Sequence, residues 1–301
     1  MAAGYAGRAS LQWSDPLLKR LAVLFLLLAP PPALADPAVW VAHGPKATVY
    51  MLGSVHMLRP GTAWESAAVR RAYAEAQECW FEIVQPKDPA ALQGLMMSTG
   101  LDPAHKLSDL LPPSRRAQFE AAADRTGLGP AVQMMRPWLT SMILVLQPLQ
   151  QAGYDPALGV DTVLQTRAKA DGKRVAGVET VEAQMEMLSG MPQSLALQML
   201  TTTLDDVAQG PAYLDGVVQS WASGDTEGMA RAVTGRVCRE APELYRRIFA
   251  KRNETFATAV EGFLRGDKTV LLVVGAGHLA GPDNVRDVLA QRGVKVERMA
   301  N

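Results

Sequence analysis

The chain reads as an α/β protein, with a central mixed, largely parallel sheet drawn from its N- and C-terminal parts and a large all-helical insertion or cap between them. Three observations predict this. Short apolar, β-prone runs gather toward the two ends of the 301 residues, helical patterning fills the middle, and strand, helix and strand alternate both after residue 48 and after residue 269. With 48% hydrophobic and 20% charged residues, the composition suits a proper core and carries no signature of disorder.

The first element is not part of that core. Lys19 and Arg20 precede an apolar run over 21–29, and Ala33-Leu34-Ala35 is a small-x-small cleavage site, so residues 1–35 read as a signal peptide cleaved after Ala35. The run is too short to cross a bilayer comfortably, so the expectation is a periplasmic or secreted protein with no stable membrane span after cleavage, an uncleaved anchor being the alternative. Residues 1–35 hold Arg8, Lys19, Arg20 and Asp15; without them the 30 basic and 30 acidic side chains of the whole sequence become a net charge of −2. No nucleic-acid footprint exists in that balance.

Strands are expected at 39–42, 48–52, 79–84, 174–178, 269–274 and 294–298. The Ala- and Glu-rich stretch 63–77 has apolar residues at helical spacing, the crossover a parallel β-α-β unit requires. Helices broken by Pro and Gly follow at 90–98, 114–126, 132–151 and 157–170, then a second helical block from 181 to about 264, in which 195–207 and 242–264 show one apolar face. A helix over 284–291 stops at Gly293 before the last strand. The α/β core therefore comprises 36–88, 172–180 and 266–301, and the cap comprises 89–171 and 181–265. Such a cap is placed to wall a pocket.

Two of the four histidines share one local frame, Gly53-Ser54-Val55-His56 and Gly275-Ala276-Gly277-His278, each directly after a strand run. Glycine lets the backbone bend there, and ligands of open α/β sheets bind beyond the carboxyl ends of strands, so distant segments can bring two imidazoles to one crevice. The plainer alternative is a turn histidine bonded to a carbonyl. Glu82 sits among large apolar residues in the strand 79–84 and either points outward or meets a cation, whether Arg, Lys or metal. Glu179 ends another strand just before a helix with Thr180 as N-cap, where complementing the helix dipole is the simpler role. Together the imidazoles and carboxylates are the ingredients of a mononuclear divalent site that accepts Zn, Mn, Fe or Co. His43 and His105 read as surface residues. Cys79 and Cys238 can pair in an oxidising space, but their separation is not readable from sequence.

These residues resemble the TraB/GumN family, which is related to the TIKI metalloproteases. The hallmarks occur in order: Trp40, Leu52-Gly53-Ser54-Val55-His56, a strand ending in Glu82, Gly159-Val160-Asp161, Gly177-Val178-Glu179-Thr180 followed by Gln184, Trp221 with Gly224-Asp225, Arg252-Asn253, and Val274-Gly275-Ala276-Gly277-His278-Leu279 followed by Gly281. Ser54 stands where Thr is usual, Ile83-Val84 follow Glu82 where an acidic residue is common, and Ala280 replaces a common Pro. The resemblance implies the fold of the erythromycin-esterase and ChaN-like proteins and a metal-dependent hydrolytic site, with peptide cleavage using Mn or Co in TIKI-like members; some relatives are linked instead to pheromone shutdown or haem binding.

The leading expectation is an exported metal-dependent hydrolase, a peptidase. His56, Glu82 and His278 hold the metal, and Glu179 serves as base or fourth ligand, these roles being interchangeable at this stage. Arg252 stabilises a developing oxyanion or pairs with a site carboxylate. Asp161 and Asn253 orient the ligands, with Gly53 and Gly275 supporting the strand ends. A second expectation is a binding protein that sequesters a peptide, pheromone or haem-like ligand, with which Met134-Met135 and the methionines from Met185 to Met199 are compatible, although core packing explains them more simply. A third is an esterase in which a histidine acts as base without metal.

Overall fold

The computed structural model describes residues 36–300 with the exception of residue 87. The expected signal peptide lies outside the described residues. Six strands form one sheet in the order β4-β3-β5-β2-β1-β6, made of β1 (Val39–His43), β2 (Thr48–Ser54), β3 (Glu78–Phe81), β4 (Arg174–Gly177), β5 (Thr269–Gly275) and β6 (Val296–Arg298). The four strands β4, β3, β5 and β2 pair in parallel, whereas β1 runs antiparallel to both β2 and β6. The fold is α/β with a mixed, largely parallel sheet.

Central β5 explains why the sequence gathers its β-branched runs here. Its residues Val270 to Val274 are all buried because helices cover both faces, so the strand is apolar throughout and does not alternate. On one face Tyr50, Leu52, Phe81, Leu271 and Val273 pack against Val69, Ala72 and Tyr73 of the helix Ala67–Glu75 and Leu164 and Ala168 of the helix Val160–Ala170. On the other, Val49, Met51, Val270, Leu272 and Val274 meet Phe256, Ala257 and Val260 of the helix Lys251–Leu264 and Val285 and Leu289 of the helix Val285–Gln291. Each such fully buried aliphatic or aromatic side chain contributes roughly 1.5–3 kcal/mol. Among the described residues no helix is long and apolar enough to cross a membrane.

Two expected elements differ in detail. The helix expected over 132–151 is split into a 3-10 turn Gly129–Met134 and a helix Pro137–Gln151, because the residue before Pro137 is forced into extended backbone, with Arg136 at ψ 153°. The stretch 242–264 is helical but includes a π-helical segment, Arg246–Ala250, ahead of Lys251–Leu264. The methionine group from Met185 to Met199 packs helical cores: Met185 beside Trp138 and Leu139, and Met191 beside Leu195 and Leu244.

Candidate functional site

Sheet order alone brings the singled-out residues to one edge. Because β5 lies between β2 and β3 and β4 lies beside β3, the carboxyl ends of all four parallel strands open on the same side. Ser54 pairs with Gly275 at the ends of β2 and β5. His56 follows two residues later, and His278 sits in the 3-10 turn Ala276–Leu279 directly after β5. Glu82 is one residue past β3 and is still held by the ladder, its N–H donating to the Val273 carbonyl at 2.9 Å while its own carbonyl accepts from Glu179 N–H at 2.9 Å. At Gly53 the backbones of β2 and the His278 turn press together: an added Cβ would stand 2.9 Å from the Ala276 Cα. Gly53 is further held by buried Trp221, whose indole Nε1 donates to its carbonyl at 2.8 Å.

Each imidazole is held at Nδ1. Asn253 donates its Nδ2 to the Asp283 carbonyl at 2.7 Å, which turns its Oδ1 toward His278 Nδ1 at 2.6 Å. The proton of His278 is thereby placed on Nδ1 and the lone pair on Nε2, which accepts from Arg252 Nη1 at 3.1 Å. The ring is 4% exposed and lies between Phe249, 5.3 Å away, and Phe256, which meets it edge-on at 4.9 Å. Burial pushes its pKa down to about 3, so it is neutral at physiological pH. His56 differs. Its side chain is 65% exposed, its Nδ1 meets Asp161 Oδ1 at 3.1 Å, and that hydrogen bond raises its pKa against the effect of desolvation.

Arg252 is the cation that Glu82 meets. Its Nη2 bonds Glu82 Oε1 and, at 2.7 Å, Glu179 Oε2; its Nε reaches Glu179 Oε1 at 2.9 Å. Gln184 ties the same two carboxylates together, its Nε2 donating to Glu82 Oε1 at 2.7 Å and to Glu179 Oε2 at 2.9 Å. The second Glu82 oxygen accepts from the Gly275 N–H at 3.0 Å. Burial alone would raise the Glu82 pKa, but Arg252, the nearby imidazoles and the Gly275 N–H bring it down to about 2.

His56, Glu82 and His278 all line one cavity of about 440 Å³, together with Arg252, Ser54 and Gly275. A second cavity of about 440 Å³ adjoins it, sharing Ser54, His56, Met57, Glu82 and Leu146 and reaching Asp161 and Gln184. Glu179 lines neither of these two; it faces clefts on the outer side of Arg252 and beside Val84 and Leu92. Donor chemistry fits a divalent ion: two imidazoles with their outer nitrogens fixed by Asn253 and Asp161, and an ionised carboxylate, on one cavity wall. Among the described residues, however, no three His, Cys, Asp or Glu side chains stand close enough to grip an ion as placed, and His278 Nε2 is 3.9 Å from Glu82 Oε2 with Arg252 bonded to both residues.

Three contributions escaped the sequence reading. Gln184 was visible only as a hallmark position, although its place four residues into the turn begun by Thr180 projects it toward the strand ends; Trp221 carried no role; and the apolar walls Val145, Leu149, Val217, Val233 and Phe249 come from helices whose faces were readable but whose packing was not. Cys79 is fully buried with its thiol raised to about 11, and both cysteines are free. Burial therefore disfavours the thiolate form that a nucleophile there would need. His43 and His105 are exposed and bond Thr48 and Asp102.

The same stretch, from the first strand to the last, is what known proteins share. Metalloprotease TIKI1 of Danio rerio is 24% identical over 307 residues, covering 82% of this chain and 60% of that protein. Metalloprotease TIKI2 of Danio rerio is 25% identical over 303 residues, covering 82% and 58%. An uncharacterized protein of Treponema pallidum (strain Nichols) is 21% identical over 270 residues, covering 84% and 80%. The chain thus spans about 60% of the length of these TIKI relatives. A model of the TraB/PrgY/gumN family matches residues 38–298, which take in all six strands and every site residue described above, and the chain belongs to that family.

Proposed function

We propose that this protein is an exported metal-dependent hydrolase acting on peptides, with His56, Glu82 and His278 holding a divalent ion, whether Mn, Co, Zn or Fe. The observation that carries the reading is that two strand-end imidazoles of opposite chain halves and an ionised carboxylate line one cavity, each imidazole with its Nδ1 already engaged. A bound divalent ion supplies Lewis acidity toward a scissile carbonyl. The protein's own groups do the remainder. Asn253 and Asp161 engage each Nδ1, which leaves Nε2 as the nitrogen that would take a ligand, at His278 in place of its bond from Arg252, and the low pKa of Glu82 keeps its carboxylate ionised across the physiological range. Glu179 and Gln184 anchor Arg252, whose fork lies beside the reacting edge and stabilises negative charge that develops there. The likeness to the TIKI metalloproteases supports hydrolysis and a metal.

A metal-free reading rests on one separate observation: His56, exposed and backed by Asp161, has the arrangement of a general base, with Arg252 already placed as the local cation. The two readings part on a single experiment. Cleavage of a peptide mixture by protein exchanged into each divalent metal, then treated with a chelator and re-supplied, is expected to stop and restart with the metal. Activity insensitive to the chelator selects the metal-free reading, and no cleavage under any condition rejects both.

A further inference from the structure

The two cavities that meet at His56 and Glu82 have different walls, and their difference specifies a ligand. The first lobe is built by Val145, Leu149, Val217, Val233 and Phe249 around the imidazoles. Beyond the strand-end groups Ser54 and Glu82 and the Arg252 fork, its polar lining is the Tyr154 hydroxyl, which already donates to Asp215 at 2.6 Å. The second lobe has an apolar floor of Phe81, Ile83, Leu92 and Met142 with neutral amide and hydroxyl groups, Gln85, Gln150 and Thr162, along its side. Among the described residues lining either lobe, Arg252 is the sole Lys or Arg, and it is engaged by Glu82 and Glu179; Glu82 and Asp161 make the remaining fixed charge negative.

Away from the central edge where Arg252 lies between Glu82 and Glu179, the described walls of both lobes offer no Lys or Arg to an anionic side chain or to the carboxylates of a tetrapyrrole. In the second lobe Gln85 Nε2 already donates to Thr162 Oγ1 at 2.9 Å, but a purely hydrocarbon chain would leave the Gln150 amide and the Gln85 carbonyl facing apolar matter. A polypeptide in extended form satisfies both: its backbone N–H and C=O groups pair with the amides while alternate side chains fill apolar pockets. Each lobe lies within the range of about 300–1,000 Å³ typical of small-ligand pockets.

We infer that the site takes an extended, uncharged stretch of peptide across His56 and Glu82, with one apolar side chain in the lobe walled by Val217, Val233 and Phe249 and another in the lobe walled by Ile83, Leu92 and Met142. The inference rests on the hydrolytic reading for the identity of the bond that is cut, but the preference for apolar residues on both sides is a property of the walls. It makes the helical insertion the source of specificity, since Val145, Leu149 and Val217 belong to α-helices, Val233 to the π-helical turn Ala230–Gly235 and Phe249 to the π segment Arg246–Ala250, none of them to the sheet.

The test uses the metal-supplied full protein and internally quenched peptides in which the residues on either side of the central bond are varied systematically, alongside apolar peptides whose central amide is N-methylated and uncleavable. Leu, Ile, Val, Met or Phe is expected on both sides, with Asp or Glu at either position lowering kcat/KM by about 100-fold or more. The variant Val217→Lys is expected to admit an acidic residue on the first-lobe side while keeping the apolar preference on the other. Cleavage with no preference for apolar flanks, or with a preference for charged ones, overturns the inference and leaves the hydrolase reading intact. Absence of cleavage with binding of the uncleavable apolar peptide, weakened about tenfold or more by Val217→Lys, upholds the inference and rejects hydrolysis. Neither cleavage nor binding overturns it, and the wild-type profile decides the matter even if the variant fails to fold.

Discussion

Replacing Arg252 by Met keeps the aliphatic bulk and removes the charge from between Glu82 and Glu179. Arg252 and its two partners are 12%, 16% and 13% exposed, so solvent screens the loss only weakly. Burial alone would raise the Glu82 pKa, and Arg252 is the foremost of the groups, with the imidazoles and the Gly275 N–H, that hold it well below the usual carboxylate range, near 2. Removing one partner from a buried ion pair typically costs about 3–5 kcal/mol, which sets the loss expected of R252M. For a chain of this size that lowers Tm by roughly 10 °C. The sign of the pH dependence follows from the depressed pKa. The stabilisation by Glu82 is fully present above about 4.5, its unfolded value, and is lost as pH falls toward 2. Without the guanidinium, burial favours the neutral acid, so the gap between wild type and R252M is widest near pH 7 and narrows below about pH 5. Thermal unfolding of both proteins in metal-free buffer from pH 4 to 8 reads this directly. A variant within about 1 kcal/mol of wild type at pH 7, or a gap that does not change with pH, refutes the cluster as described.

Asn253→Ala leaves His278 Nδ1 unpaired in a buried site and is expected to cost about 1–3 kcal/mol of stability and 10–100-fold in kcat, measured by denaturation and by steady-state cleavage of the best peptide. Trp221→Phe keeps the ring beside Trp64 but drops the hydrogen bond to the Gly53 carbonyl, a loss of about 1–2 kcal/mol in urea unfolding. Gly159→Ala drives a Cβ into the His56 carbonyl, so the Val160 N–H bond to Val55 and the contact of His56 with Asp161 are both disturbed; stability falls by about 1–3 kcal/mol and the His56 pKa, followed by NMR, drops back toward its ordinary value.

The strands were legible because β2 and β5 are buried on both faces and so read as unbroken apolar runs, and the paired glycine-to-histidine spacings marked where those runs ended. Glu82 stood out by its apolar neighbours. What no local pattern shows is pairing: that the cation for Glu82 comes from residue 252, that Gln184 bridges two carboxylates 97 residues apart in sequence, and that Glu179 faces away from both lobes. Each is a consequence of strand order, which puts β4 at the edge and β5 at the centre, and strand order is set by long-range packing. The break before Pro137 was readable from the proline alone, whereas the π segment Arg246–Ala250, which carries Phe249 to the His278 ring, has no such punctuation in its sequence.

Metal content decides the central claim. Purified wild-type protein and the variant carrying both His56→Ala and His278→Ala, each saturated with Mn, Co, Zn and Fe in turn and desalted, are compared by elemental analysis. Near-stoichiometric metal in the wild type and its loss in the double variant is the expected result. Equal metal in both, or none in a wild type that still hydrolyses peptides, contradicts the proposal that the two imidazoles hold a shared ion.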